Sequence, residues 1–456
     1  MLKKNDQITL NFTDLTNLGF GVAKHNGMVV FVSGAVPGDE ALVKIIKVNN
    51  SYAIGRIERL TVPSAKRTQD RCNNLVCKSC AYKELKYEEE QKLKENTVRS
   101  AFLHEGLSEI NILPIVSSPK LTEYRNKAQY PISKSKNGEY IVGFFAPKSH
   151  RVTEARNCPL APKEFSAIID TLTDFFKKYK LSVYDEESGS GLLRHIYLRR
   201  GENSREILLT LVINGTSLPR SDELVSVLTS RFSSIVGILL NVNKKNTNVV
   251  LGEKYITLFG HDYIYDTLAG VDLKITAASF YQVNNCAAEL LYAKARELAS
   301  LKKSDTLLDL YCGAGSIGLS MREDCGKLIG VEIVESAVLC ARENARNAHA
   351  ENAYFYIGDA ANTERFLENA ENELGQKIIP NVIILDPPRA GCDKKLIDFV
   401  ASLNPDRIIY VSCNPATLAR DVKQFLTLGY VSSDVTPFDL FPMTGHVESV
   451  VCLSRK

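Results

Sequence analysis

Along the first sixty residues, apolar and polar positions alternate in short runs at 8–12, 28–32 and 41–46, punctuated by turn-forming segments such as Val36-Pro37-Gly38-Asp39. Period-two alternation between tight turns predicts a small closed β-barrel of about five strands, of the kind that presents basic and aromatic side chains to single-stranded nucleic acid. From Glu84 the period lengthens: Leu85, Leu93, Val98, Phe102 and Leu103 recur among charges at helical steps, and Gly106 ends that helix. Residues 121–265 return to strand-like segments at 140–145 and 206–213 with a helix at 163–179 between them, which reads as an α+β unit.

Beyond residue 266 the pattern becomes regular: helix 284–300, strand 305–310, helix 316–323, strand 327–332, helix 335–348, strands 353–357 and 381–385, helix 393–402, strand 407–411. Such alternation predicts a mostly parallel, doubly wound sheet. The expected organisation is therefore α/β with three units: an OB-like barrel over 1–60, an α+β middle domain over 61–265, and a Rossmann-like domain over 266–456.

Composition changes this picture little. A chain of 456 residues, 45% apolar and 24% charged, is ordinary globular material too long for one core. The net charge of +3 does not mark a polyanion binder, although 61–150 carries 15 Lys and Arg against 10 Asp and Glu. No secretory apolar run opens the chain and no stretch of about 18 apolar residues occurs later, so a soluble cytoplasmic protein with no membrane partner is expected. In that reducing compartment the eleven cysteines are not a disulfide framework. Clustered ones read as metal ligands or catalytic thiols, isolated ones as buried hydrophobes.

The chemistry concentrates at strand ends. Strand 306–310 runs into Tyr311-Cys312-Gly313-Ala314-Gly315-Ser316-Ile317-Gly318, a G-x-G-x-x-G between strand and helix. Nineteen residues past Gly313, Glu332 ends the next strand and can accept from two ribose hydroxyls. NAD and S-adenosylmethionine both suit this arrangement, and tight strand-to-helix packing alone would also call for the glycines. Asp309 before the turn and Asp359 after the third strand lie outside the dinucleotide fingerprint and favour the methyl donor. Two further strands end in Asp386-Pro387-Pro388-Arg389 and Ser412-Cys413-Asn414-Pro415, placing a carboxylate and a thiol at the same edge. A thiolate nucleophile needs local positive potential, from Arg389 or backbone amides. Glu448, in Phe441-Pro442-Met443-Thr444-Gly445-His446-Val447-Glu448, is a base candidate. Upstream, Cys72, Cys77 and Cys80 form C-x4-C-x2-C with Cys158 far downstream, a set suited to an iron-sulfur cluster or to zinc, with an unmetallated structural group as the remaining alternative.

Together with Tyr124-Arg125-Asn126-Lys127, Gly191-Leu192-Leu193-Arg194-His195 and Phe280-Tyr281-Gln282-Val283-Asn284, these segments resemble the RNA 5-methyluridine methyltransferase family over nearly the whole chain. Residues 1–60 resemble its TRAM domain. The resemblance implies that Gln282, Tyr311, Glu332 and Asp386, with the turn at Gly313 and Gly315 and with Asp359, hold S-adenosylmethionine; that Cys413 is the nucleophile and Glu448 the base; that Arg125 and Lys127 meet substrate; and that the four cysteines hold a [4Fe-4S] cluster. Lys78 and Ser79 stand where the family's cluster motif usually has glycines, and the first spacing is one residue short. Barrel and cysteines together resemble the 23S rRNA enzymes, with tRNA as the alternative substrate and a silent RNA-binding assembly factor or an NAD oxidoreductase as other readings. A monomer is expected.

The residue types fit the reaction. Carbon 5 of uracil is too weak a nucleophile to take a sulfonium methyl directly, whereas thiolate addition at C6 makes C5 enolate-like. A base must then remove the C5 proton so that the thiolate can leave. The nucleotide must also be swung out of its stack, and Phe280 is the aromatic ring expected to receive it.

Overall fold

The computed structural model describes residues 2–456 except 69–70, 73, 75–76, 78, 147–148, 247–248 and 361–362, and omits the side chains of 363–366 and 369. Six strands, β1 (Gln7–Asn11), β2 (Asp14–Leu15), β3 (Phe20–His25), β4 (Met28–Ser33), β5 (Glu40–Val48) and β6 (Tyr52–Val62), form one curled sheet in the order β1-β5-β6-β4-β3-β2. Alternate residues point inward, so Leu10, Phe12, Val30, Val32, Val43 and Ile45 make its core. Gly55 is forced by the curl: a Cβ there would lie 2.3 Å from Val43 Cγ1. Asp39 anchors the sheet to the segment after β6, accepting from the Val36 and Ser64 amides and from Arg67.

Helix α1 (Tyr87–His104) carries a fully buried ionic cluster. Lys94 Nζ lies 2.7 Å from Glu90 Oε1 and 2.7 Å from Asp439 Oδ1, and Arg71 closes on the other Glu90 oxygen at 2.5 Å. Glu90 Oε1 also accepts from the Met443 amide at 2.7 Å, tying α1 to the loop before Glu448.

The middle sheet holds β7 (Lys127–Lys134), β8 (Tyr140–Phe145), β9 (Val152–Glu154), β10 (Leu193–Arg200), β11 (Ile207–Ile213), β12 (Ile235–Val242) and β13 (Lys254–Gly260) in the order β13-β12-β11-β10-β7-β8-β9. Helices α2 (Lys163–Lys178) and α3 (Ser221–Arg231) cover one face. The other packs on the hairpin β14 (Tyr263–Leu268) and β15 (Val271–Thr276), so every residue of β10 and β11 is buried.

The C-terminal sheet runs β18-β17-β16-β19-β20-β23-β21, from β16 (Thr306–Leu310), β17 (Lys327–Glu332), β18 (Ala353–Ile357), β19 (Val382–Leu385), β20 (Arg407–Ser412), β21 (Tyr430–Ser432), β22 (Thr436–Phe438), which pairs beside it, and β23 (Glu448–Arg455). The five strands β18, β17, β16, β19 and β20 are parallel; β23 enters antiparallel, giving the doubly wound α/β sheet an antiparallel edge. Helices α4 (Asn285–Ala299), α5 (Ser316–Ser320) and α6 (Glu335–Asn347) cover one face. Helices α7 (Thr363–Leu374), α8 (Lys394–Ser402) and α9 (Pro415–Thr427), joined by Val98 and Phe102 of α1, cover the other. The expected elements omit α7 and α9. Among the described residues no helix is long and apolar enough to cross a membrane.

Candidate active site

The carboxyl ends of the parallel strands form one edge, and the backbone there is shaped for a nucleotide. After β16 the chain turns through Tyr311 at φ +65°, Gly313 at +56° and Gly315 at +82°. Left-handed backbone suits the two glycines and makes Tyr311 a strained position. Glu332 braces the turn: Oε2 accepts from the Gly313 amide at 3.1 Å and Oε1 from the Val334 amide at 2.9 Å, leaving free lone pairs on both oxygens. Asp309 Oδ2 accepts from the Gly318 amide at 3.0 Å, while its buried Oδ1 lacks a partner, and burial pushes the carboxyl up to about 8. Asp359 lies close enough to Tyr311 to influence its hydroxyl.

The Gln282 side chain reaches the Tyr292 hydroxyl, which is 2.8 Å from Ser316 Oγ and feels both Asp309 and Asp386. Its backbone oxygen accepts from Asn126 Nδ2 at 2.8 Å, so the Y-R-N-K and F-x-Q-x-N segments are stitched together. Phe280 stands 65% exposed. Ile333, 63% exposed directly after Glu332, is an apolar surface position the sequence pattern missed.

At the other end of the edge, strand register brings the thiol and carboxylate together. In the antiparallel pairing of β20 and β23, Ser412 lies opposite Ser449. The next residue beyond each, Cys413 and Glu448, therefore meet at the strand ends. Asn414 caps α9 and Pro415 occupies its first turn, a helix-start pair that explains the S-C-N-P spelling. Asn414 Nδ2 also donates to the Arg389 carbonyl at 2.9 Å, locking this loop onto the D-P-P-R loop.

The electrostatics are those of crowded acids. Burial, then Asp386, raises the Glu448 carboxyl to about 8, opposed by Arg389. Burial raises Asp386 to about 7. Burial, then Glu448 and Asp386, raises the Cys413 thiol to about 11, and Arg389 again opposes. The Arg389 guanidinium touches His446, whose imidazole is held down to about 4 by burial and neighbouring cations. His446 is a further group that sequence reasoning passed over.

Lys127 pairs with Arg199 across β7 and β10, and Arg125 lies two residues before β7. Burial, Arg199 and Arg125 lower Lys127 to about 8, and Arg125 Nε and two Arg199 nitrogens are buried without partners. Arg125 also faces thiols. Cys80 is raised to about 12 by burial and by Cys158, Cys77 and Cys72, with Arg125 opposing. Cys72, Cys80 and Cys158 all pack on Tyr124, Leu160 and Met443. Four thiols near a cation are a donor set whose chemistry suits a cluster of net negative charge. Among the described residues, however, no three candidate ligands stand in metal-holding geometry, and part of 72–80 lies outside them.

Comparison with known proteins gives one consistent answer. Residues 228–456 match the family model described as tRNA (Uracil-5-)-methyltransferase, and residues 3–57 match the TRAM domain. A protein of Clostridium tetani described as an RNA methyltransferase is 37% identical over 99% of this chain and 97% of its own length. One from Bacillus cereus, similarly described, is 38% identical over 100% and 98%. The crystal structure of Pyrococcus abyssi tRNA (uracil-54, C5)-methyltransferase in complex with S-adenosyl-L-homocysteine superposes with a TM-score of 0.78 at 27% identity, covering 98% of this chain and all of that one.

Proposed function

Because the chain belongs to the tRNA (uracil-5-)-methyltransferase family of RNA methyltransferases, we propose that it methylates C5 of a uridine in 23S rRNA through a covalent bond from Cys413 to C6. The observation that carries the covalent route is the meeting of Cys413, Glu448 and Asp386 at one strand edge, where both carboxyls raise the thiol, Asp386 raises Glu448, and Arg389 opposes at Cys413 and Glu448. S-adenosylmethionine supplies a methyl on a positively charged sulfur. Gln282, Tyr311, the turn at Gly313 and Gly315, Glu332, Asp359 and Asp386 hold it in this reading, Glu332 through its spare lone pairs.

Burial first, and crowding of acids second, keep the thiol and the Glu448 carboxyl protonated, and positive charge nearby would oppose both. Cys413 then releases its proton to solvent, its sulfur bonds to C6, and the C5–C6 π electrons move toward O4. The enolate pair bonds C5 to the methyl carbon as the methyl–sulfonium bond breaks, leaving S-adenosylhomocysteine. Glu448, ionised, accepts the C5 proton, the electrons of that C–H bond re-form C5=C6, and the C6–S bond breaks to return the Cys413 thiolate. Phe280 stacks the extruded base, and Arg125 and Lys127 meet the RNA.

The four cysteines would hold a [4Fe-4S] cluster in this reading, with Arg125 offsetting its charge. The cluster braces the fold, since uracil methylation by this route exchanges no electrons. Iron and acid-labile sulfide measured after anaerobic purification test it, stoichiometric zinc being the contrary result.

The rRNA assignment rests on the TRAM barrel occurring together with the cysteine set. A tRNA substrate is the second reading, favoured by the named activity of the Pyrococcus abyssi structure. Mapping 5-methyluridine in rRNA and tRNA from a deletion strain decides between them: the missing modification identifies the substrate, and no missing modification in either overturns the function.

A further inference from the structure

Among the described residues Leu18, at 75%, is the most exposed large apolar side chain, ahead of Phe280 at 65%, Val249 at 64% and Ile333 and Ile379 at 63%. Isolated exposed leucines are unremarked on most surfaces. Leu18 differs because of what holds it. It sits at the tip of the β2–β3 turn, closed by Thr16 N to Phe20 O at 2.9 Å, Gly19 N to Thr16 O at 2.9 Å, and Phe20 N to Thr16 Oγ1 at 3.1 Å. On one side of the tip, Gly19 adopts φ +80° and backs onto the chain at Ala81, where an added Cβ would lie 2.9 Å from Ala81 Cα. On the other, a Cβ added to Gly445 would lie 2.1 Å from the Asn17 carbonyl oxygen.

The residue before Leu18 is thus pressed against the loop that carries His446 and leads to Glu448. Anchoring is apolar as well, since Leu15 of the same turn packs with Val36, Tyr82 and Leu85. The Tyr82 amide donates to the Met443 carbonyl at 2.9 Å, so the turn and the catalytic loop share one support. An exposed apolar side chain on a braced turn, beside the loop that leads to Glu448 of a reaction needing an unstacked base, has the chemistry of a wedge.

We propose that Leu18 enters the RNA beside the target uridine, filling the gap left when that base swings toward Phe280. The proposal rests on the uridine-C5 reading and adds a barrel residue to its substrate path. The ligand is a base step in folded RNA. Leu18 is a positioning residue: it touches the RNA stack and not the reacting atoms.

The test uses the full-length protein and rRNA from a deletion strain, refolded in magnesium, with single-turnover methyl transfer followed by radiolabelled S-adenosylmethionine. Leu18→Ala is expected to slow transfer at least tenfold while melting temperature and S-adenosylmethionine affinity stay unchanged. Leu18→Met is expected to stay within threefold of wild type. Leu18→Lys separates a wedge from a backbone contact, because an added cation strengthens phosphate binding but cannot fill a stack. Slow transfer by Leu18→Lys supports the wedge. Wild-type rates in Leu18→Ala, or rescue by Leu18→Lys, overturn it with the parent reading intact. A wild-type protein that methylates neither rRNA nor tRNA from the deletion strain overturns both.

Discussion

The molecule buries two clusters of ionisable groups, linked by the segment from Asp439 to Glu448, and supplies them with cations differently. Around Lys94, the carboxyls of Glu90 and Asp439 are met by Lys94 and Arg71 at hydrogen-bonding distances, although burial still raises the Glu90 carboxyl. Around Cys413, burial pushes Asp386, Glu448 and the thiol toward their neutral forms, and Arg389 opposes at Glu448 and Cys413. The first cluster spends its electrostatics on holding the loop that ends in Glu448. The second leaves a demand for positive charge, which the sulfonium of the proposed methyl donor would meet. Structural and catalytic burial of charge are distinguished here by whether the compensation is internal.

The largest effect should come from removing the nucleophile. Cys413→Ala is expected to reduce methyl transfer to background and abolish any RNA adduct on a denaturing gel; full activity would sink the covalent route. Glu448→Gln should retain C6 addition but stall proton removal, so adduct accumulates while turnover collapses, and a failure to trap adduct would remove Glu448 from that role.

Breaking the balanced cluster tests the other half of the comparison. Lys94→Met leaves Asp439 without a cation and Glu90 with Arg71 alone, and urea unfolding is expected to show a loss of about 3–5 kcal/mol. Stability within about 1 kcal/mol of wild type would mean the cluster is not internally compensated.

The unbalanced cluster predicts a pH signature of the opposite sense. With its carboxyl raised from 4.5 to about 8, native Glu448 retains a proton that the unfolded chain has released, so stability falls as pH rises from about 4.5 to 8. Glu448→Gln is expected to match wild type in melting temperature near pH 5 and exceed it near pH 8; parallel curves would contradict the buried, uncompensated placement. The smallest expected effect is at the cofactor edge. Glu332→Gln loses the charge and one of the two accepting oxygens that brace the turn, and calorimetry should show S-adenosylmethionine binding weakened roughly tenfold.

Much of this was readable along the chain. The βα alternation, the glycine turn with Glu332, and the ends of β19 and β20 all arise from local periodicity and turn chemistry. The missed features differ in cause. Helix α9 begins at Asn414-Pro415, a cap and first-turn proline whose helix-start signal was overshadowed by the thiol beside it. Helix α7 carries a helical pattern of its own, Phe366, Leu367, Ala370 and Leu374 among charges, and was legible in the sequence although the expected elements omit it. Ile333 and His446 carry no pattern of their own, and only their neighbours give them meaning.

By itself the sequence determined the family, the α/β alternation and the residue types at the strand ends, because these depend on spacing within a few turns of chain. Only the tertiary structure decided that Cys413 and Glu448 meet, since that requires β23 to enter antiparallel beside β20 with Ser412 opposite Ser449. It also decided that α1 covers the C-terminal sheet and that a barrel turn rests on Gly445. Register and long-range packing are set by how whole faces bury against one another, and no local window of residues contains that information.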